Sequence, residues 1–589
     1  MILDARTVTR AEVAATPRQL DARNGAEALI QLLVAHEVEY LFLNPGTDTA
    51  PIQEAIVALG GQGCAVPKIV ACLYENVALA AAHGYFYVTR RPQAVLVHVD
   101  SGTQNLGGNL HNIQRAHAGV LIFAGRTPYT VDGVAPGSRD RGIQWFQDQP
   151  DQTGIVRGYV KWHHELGRTD TLNYLIPRAV QVAASEPAGA VYMTVAREVL
   201  MEPMDGVTLF PPKRTRPAIT GPGDLDAIET IAEWLADAER PLIIAGDVGR
   251  NVGAVADLQA LVETVGITIT DKSGPLNVPL THPLFRADAT GALRAADVVL
   301  ILDAQVPWVP KAGNPPDTAK IAQIDIDPVK ASIPLWGFPV TLPLHGDTSK
   351  ALPLLLSAVE RLATPERRAS WRARREQLEA EWGRRQEQIA ARLETQRTRR
   401  PISPDWAAAA LAEVLPHDAI VLEETTGNNG TAVRRHIRRE LPGTLLHAIG
   451  PGLGWALGAA VGVKLAAPDR LVTAVVGDGS FIFASPVAAL FAAQDARAPF
   501  LTVILNNAGY SASKQPIEGL FPNGASVQAD TYPGVRFESP PDYAALARSC
   551  HAYGERVEDP AEMVPALQRA VAAMQQGQAA VLDVIIDPI

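Results

Sequence analysis

Short apolar runs alternate with longer stretches of helical periodicity along the whole chain. In the first third the runs are YLFLNPG (40–46), AVLVHVDSG (94–102), GVLIFAGR (119–126) and AVYMTVARE (190–198). The middle carries PLIIAGD, DVVLILDA and IAQIDID, and the last third IVLEETT, LVTAVVGDG, LTVILNN and AVLDVII. Runs that lack polar alternation and end in Gly, Asn or Asp have the pattern of strands buried on both faces. Such strands separated by helices predict an α/β fold of doubly wound parallel sheets.

Two breaks in this rhythm divide the chain. PPKRTRPAITGPG (211–223) is rich in Pro and basic residues, and the stretch from about Thr364 to Pro401 is dense in Arg, Glu and Gln. The second predicts an exposed helix whose Arg are matched by Glu at helical spacing, not a nucleic-acid arm. Three domains follow, at about 25–195, 220–358 and 400–589, in line with a length of 589 residues. The first 24 residues hold acidic groups and no apolar core, so they read as a flexible leader and not a secretory signal. No long charge-free apolar run predicts a membrane span. A net charge of −11 argues against nucleic acid or an anionic membrane as partner. Three cysteines, none in a CxxC pair, suit a reducing, cytoplasmic setting.

The densest chemistry lies at the ends of two strand candidates. One runs into Gly477-Asp478-Gly479-Ser480; the other, one helix later, into Asn506-Asn507-Ala508-Gly509-Tyr510. Ligands of open α/β sheets bind at the carboxyl ends of strands, where glycines let main-chain N–H groups approach phosphate. Asp478 offers a carboxylate, Asn507 an amide oxygen and Gly509 a main-chain carbonyl, hard donors that suit Mg²⁺.

GDG followed about thirty residues later by NN resembles the thiamine diphosphate motif of the family that includes acetolactate synthase, pyruvate decarboxylase and benzoylformate decarboxylase. The resemblance implies pyrimidine-binding, central and diphosphate-binding domains in that order. It implies that Asp478, Asn507 and Gly509 hold the metal, and that Gly477, Gly479, Ser480 and Tyr510 contact the cofactor. Thr426, Gly427 and Asn428, just after a strand, would touch the diphosphate. In GPGLGWALGAAVGVKLAAPDR, Leu453 falls where the family has an apolar prop that bends the cofactor. The small residues of that segment predict a helix packed closely on a sheet.

Glu75 sits where an apolar strand meets an alanine-rich helix, in IVACLYENVALAAAHGYFY. The family has its activating carboxylate in this context, bound to a ring nitrogen of the cofactor. By the same resemblance, this domain of one chain faces the diphosphate domain of another, so a homodimer or homotetramer is expected. His98 lies 23 residues after Glu75 and four before Gly102-Thr103-Gln104-Asn105. Benzoylformate decarboxylase has a catalytic His in that context and a second in HPxFR, matched here by His282. Thr47, in NPGT, stands where that enzyme has a Ser held to bind the substrate carboxylate, and Gln104 lies in the matching pocket segment.

The expectation is an enzyme that uses thiamine diphosphate and Mg²⁺ on a small 2-oxo acid, as decarboxylase or carboligase. The alternatives are a lyase of 2-hydroxyacyl thioesters, a non-catalytic regulatory subunit that keeps the fold, and a flavin-dependent oxidase. FAD is not expected: IIAGDVGRNVG is a loose glycine pattern that tight packing explains as well. The GDG-to-NN interval is two residues longer than in acetolactate synthase. The insert at 515–540 has no counterpart in the family, which leaves substrate identity open and predicts that it shapes the pocket.

Overall fold

The computed structural model describes residues 16–271 and 274–589. Three wholly parallel sheets dominate it, one in each predicted region. The first runs in the order Lys68–Ala71, Tyr40–Leu43, Gln93–Val97, Val120–Arg126, Val191–Ala196, Trp162–Leu166. Its inner strands are buried along their whole length, as the unalternating runs predict. The central sheet places Thr268–Asp271 beside Pro241–Ala245, then Val298–Leu302, Lys320–Asp325 and Leu342–His345. The third runs Leu445–His447, Ile420–Glu424, Val472–Gly477, Leu501–Asn506, Ala580–Ile585, Tyr553–Val557.

Counted within each sheet, the first and third share one strand order, 2-1-3-4-6-5. In both, the order reverses between the first and third strands, and at that reversal the crossover helices diverge and leave a crevice. Many of the residues singled out in the sequence follow the carboxyl ends of strands in these two sheets: Thr47, Glu75 and His98 in the first, and Thr426, Asp478 and Asn507 in the third. Glycines after the first central strand serve packing: a Cβ at Gly246 would overlap the Asp303 carbonyl, and one at Gly249 the Leu276 carbonyl.

By contact density the chain forms two compact units. One holds the first sheet together with Gly450–Ala466; the other holds the central and third sheets. The helix Ala456–Ala466 therefore does not pack on a sheet, as its small residues suggested. It lies along the helix Glu75–Thr89, with Gly458, Gly462 and Gly84 at the contact. Small residues specify a close approach, and here the surface approached is another helix. The charged linker is a 32-residue helix, Pro365–Gln396. Its first turns are less exposed than predicted. Trp371 is buried in the central core, and Arg374 donates to the carbonyls of Val265, Gly266 and Ala238 at 2.6, 2.9 and 2.7 Å. Of the expected leader, residues 1–15 lie outside the described residues, whereas Arg18–Leu20 is a strand paired antiparallel with Val207–Leu209. Among the described residues no helix is long and apolar enough to cross a membrane.

Candidate functional site

Beside the crevice of the third sheet, the ends of its third and fourth strands, Val472–Gly477 and Leu501–Asn506, hold each other. Val472–Gly477 is buried up to its last residue and delivers Asp478 as the first residue of a short helix. The Asp478 carboxylate accepts from the N–H of Gly479 at 2.9 Å and, across the crevice, from that of Gly509 at 3.0 Å. The second motif is shaped by Asn506, which accepts from the Ala508 N–H at 3.0 Å and donates to the buried Asp583 at 2.8 Å. Only glycine fits at 509, because a Cβ there would overlap the Val535 carbonyl. Asn507 is thereby left with its Oδ1 buried and without a hydrogen-bond partner.

An orphaned acceptor of this kind costs about 1–3 kcal/mol unless something binds it. Beside it, burial pushes the Asp478 carboxyl up to about 6 even though the N–H groups of Gly479, Gly509 and Asp478 itself oppose that shift. The orphaned Asn507 oxygen beside the buried Asp478 carboxylate fits a cation site. Among the described residues no three His, Cys, Asp or Glu gather to hold a metal. The donors present are instead one carboxylate, one amide oxygen and one carbonyl, which leaves coordination positions for phosphate oxygens and water, as Mg²⁺ requires.

A cleft of about 440 Å³ opens on Asn507 and is lined by Thr426, Asn428, Ser511, Gln515 and Arg435. Thr426, Gly427 and Asn428 are exposed at the end of Ile420–Glu424, so their polar groups are open to an anionic ligand. Glu423, which the sequence reading passed over, braces this turn. It accepts from the Thr425 N–H at 2.9 Å and pairs with His447. Burial works to raise its pKa, and His447, with Arg434 and the Thr425 hydroxyl, more than offsets that, leaving the carboxylate below its ordinary value. The 515–540 insert folds back over the second motif: Tyr510 donates its N–H to the Val535 carbonyl at 2.9 Å, and the Tyr510 and Phe537 rings meet edge-on at 4.8 Å.

The crevice of the first sheet holds Glu75 and His98. Glu75 is 4% exposed, opens the helix Glu75–Thr89 and accepts from the Asn105 amide at 3.2 Å. Gly102 makes room for it, since a Cβ there would lie 3.0 Å from its Oε1. His98 ends the strand Gln93–Val97. Its Nδ1 meets the carboxylate of Asp48, and its Nε2 meets the Gln147 side-chain nitrogen at 2.7 Å. The His98 pKa is raised, first by the bond to Asp48 and, more weakly, by the charges of Asp100 and Glu75, with burial opposing. Glu75 and His98 thus sit within electrostatic reach of each other. Asp48 was missed in the sequence because an Asp after NPGT reads as an ordinary turn residue.

The other predicted residues are more scattered. Thr47 is exposed and lines a small cavity with Asp48, Gln144 and Gln147. Gln104 is exposed, 3.4 Å from Asp100, and lines a separate hollow with His111, Tyr159 and Gly452. Leu453 is half-buried beside that hollow's edge. His282 is engaged at both ring nitrogens within the central domain. Its Nδ1 accepts from the Leu284 N–H at 3.2 Å, and its Nε2 lies 3.2 Å from Glu263. Burial lowers its pKa against the pull of Glu263.

Comparison with known proteins matches three segments of the chain to the domains of one family. Residues 23–155 match the N-terminal thiamine pyrophosphate binding domain of thiamine pyrophosphate enzymes, 228–355 their central domain, and 425–584 their C-terminal thiamine pyrophosphate binding domain. The chain is 28% identical to the acetolactate synthase large subunit of Mycobacterium tuberculosis over 544 residues, covering 88% of this chain and 89% of that one. It is 25% identical to benzoylformate decarboxylase of Pseudomonas aeruginosa over 560 residues, covering 93% and 96%. The fold superposes on a 4-hydroxybenzoylformate decarboxylase of Rhodococcus jostii with a TM-score of 0.76 at 22% identity, covering 96% and 99%.

Proposed function

This chain belongs to the thiamine pyrophosphate enzymes, and from that premise we propose that it is a Mg²⁺-dependent decarboxylase or carboligase of a small 2-oxo acid. The observation that carries the reading is the setting of His98, a ring fixed by a buried carboxylate within electrostatic reach of Glu75. Thiamine diphosphate, when bound, supplies the carbon nucleophile and the electron sink. The chain's own residues bind, orient and move protons. Asp478, Asn507 Oδ1 and the Gly509 carbonyl would hold the metal, and Thr426, Gly427 and Asn428 would receive the diphosphate. Glu75 would hold the proton that activates the bound cofactor, and its burial would keep water from competing for it. His98 delivers or removes a proton at Nε2 once carbon dioxide has left. His282, with both ring nitrogens taken, is assigned to packing in the central domain. The active form is a homo-oligomer.

Product analysis tests the reading. The protein is supplied with thiamine diphosphate, Mg²⁺ and either pyruvate or benzoylformate, with and without an aldehyde acceptor. Carbon dioxide with free aldehyde identifies a decarboxylase, and a 2-hydroxyketone identifies a carboligase. No turnover of either acid with cofactor bound would overturn the substrate class and bring the thioester-lyase reading forward. Under turnover conditions His98→Ala is expected to lower kcat by roughly 100-fold or more; a change within threefold would remove His98 from the mechanism. Asp478→Asn is expected to weaken Mg²⁺-dependent cofactor binding by more than about 100-fold. Calorimetric titration checks this, and near-normal affinity would refute the metal assignment.

A further inference from the structure

The Asp48–His98 pair is more elaborate than a surface ion pair. Asp48 is 4% exposed. One carboxylate oxygen meets His98 Nδ1, and the other accepts from the Val99 N–H at 3.3 Å. Two glycines clear the space: a Cβ on Gly46 would overlap the His98 ring, and one on Gly125 would overlap the Asp48 carboxylate itself. Val99 is held at φ +30°, a conformation a β-branched residue avoids. Strain of that kind costs on the order of 1–3 kcal/mol and persists only where the surroundings enforce it.

Here the enforcement is visible. The Thr103 hydroxyl donates to the Val99 carbonyl at 2.6 Å and meets the Tyr192 hydroxyl at 2.8 Å. The Gln152 amide donates to that tyrosine oxygen at 2.9 Å and to the Gly125 carbonyl at 3.0 Å. Asp48 and this buried chain therefore grip the His98–Val99 turn from both sides.

We propose that Asp48 is a positioning residue: its carboxylate fixes the His98 ring with hydrogen on Nδ1, so that Nε2 is the atom presented for proton transfer. This rests on the role given to His98 above. Which ring nitrogen carries hydrogen is set by the partner at the other one, and a carboxylate can only accept. In the neutral ring Nε2 is then an acceptor, and the Gln147 amide occupies it at 2.7 Å. When the ring is protonated, Gln147 can turn its amide and offer oxygen instead. A substrate oxygen that displaces Gln147 gains the same nitrogen. The charged groups facing the ring are Asp48, Asp100 and Glu75, with Arg126 and Arg197 lining the small cavity beside Asp48.

The test needs a readout independent of turnover. Nitrogen-15 NMR of histidine-labelled holoenzyme, with His98→Gln identifying the resonance, reports tautomer and titration directly. Wild-type His98 is expected as the Nδ1–H tautomer, and Asp48→Asn should lower its titration midpoint by at least about one pH unit. Asp48→Asn should also lower kcat by on the order of 100-fold, with little further loss in the double variant with His98→Gln. An Nε2–H tautomer in the wild type, or an unmoved midpoint in Asp48→Asn, overturns the proposal whether or not the variant is active. If the midpoint moves but His98→Gln keeps full turnover, the pairing stands and the catalytic role of His98 falls.

Discussion

Glu75→Gln is expected to lower kcat by on the order of 1,000-fold, within the range of about 10²–10⁴ that a positioned proton-transfer group supplies, while thiamine diphosphate binding should stay close to wild type. Gln is isosteric with Glu, so the packing against Gly102 and the opening of the helix at residue 75 survive. The amide can turn its oxygen toward Asn105 and keep that hydrogen bond. What it lacks is a site that can hold and release a proton. At 4% exposure, no solvent molecule stands ready to substitute. Parallel measurement of product formation and of calorimetric cofactor affinity separates the two effects. A variant that turns over within about threefold of wild type would remove Glu75 from the role proposed for it. A variant that no longer binds cofactor would mean that the carboxylate contributes mainly to affinity.

Gly462→Ala carries the largest expected loss of stability. The helices Glu75–Thr89 and Ala456–Ala466 touch backbone to backbone. A Cβ at 462 would overlap the Ala81 carbonyl, one at Gly84 the Ala459 carbonyl, and one at Gly458 would lie 2.7 Å from Ala80 Cβ. Overpacking usually costs about 1–3 kcal/mol. Here the obstacle is a helical carbonyl that cannot rotate away, so the cost is expected at or above about 3 kcal/mol. Gly383 provides the control. It lies inside the Pro365–Gln396 helix with nothing within 4 Å of an added Cβ, so Gly383→Ala should stabilise by up to about 1 kcal/mol. Because a chain of this size rarely unfolds in one reversible step, the comparison is made as apparent Tm at one scan rate. Equal Tm values for Gly462→Ala and wild type would show that the two helices are not as close as described.

The strands were legible because buried parallel strands carry a strong local signal and end in Gly, Asn or Asp. Strand order was not, since a sequence lists elements without their neighbours. The partner of the Ala456–Ala466 helix was hidden for a related reason: Gly and Ala announce close packing without saying against what. Asp48 and Glu423 act through partners 50 and 24 residues away, and neither stands in a motif. For His282 the HPxFR context drew attention to the residue, whereas its engagement depends on Glu263, which lies on the preceding helix Val252–Val265.

The shared strand order of the first and third sheets has a consequence for supply. One sheet carries Glu75 and the other the proposed cation donors Asp478 and Asn507, and both are written into a single reading frame. A cell cannot make one without the other, so no separate control is needed to match their numbers. The same order is what duplication of an ancestral half would leave.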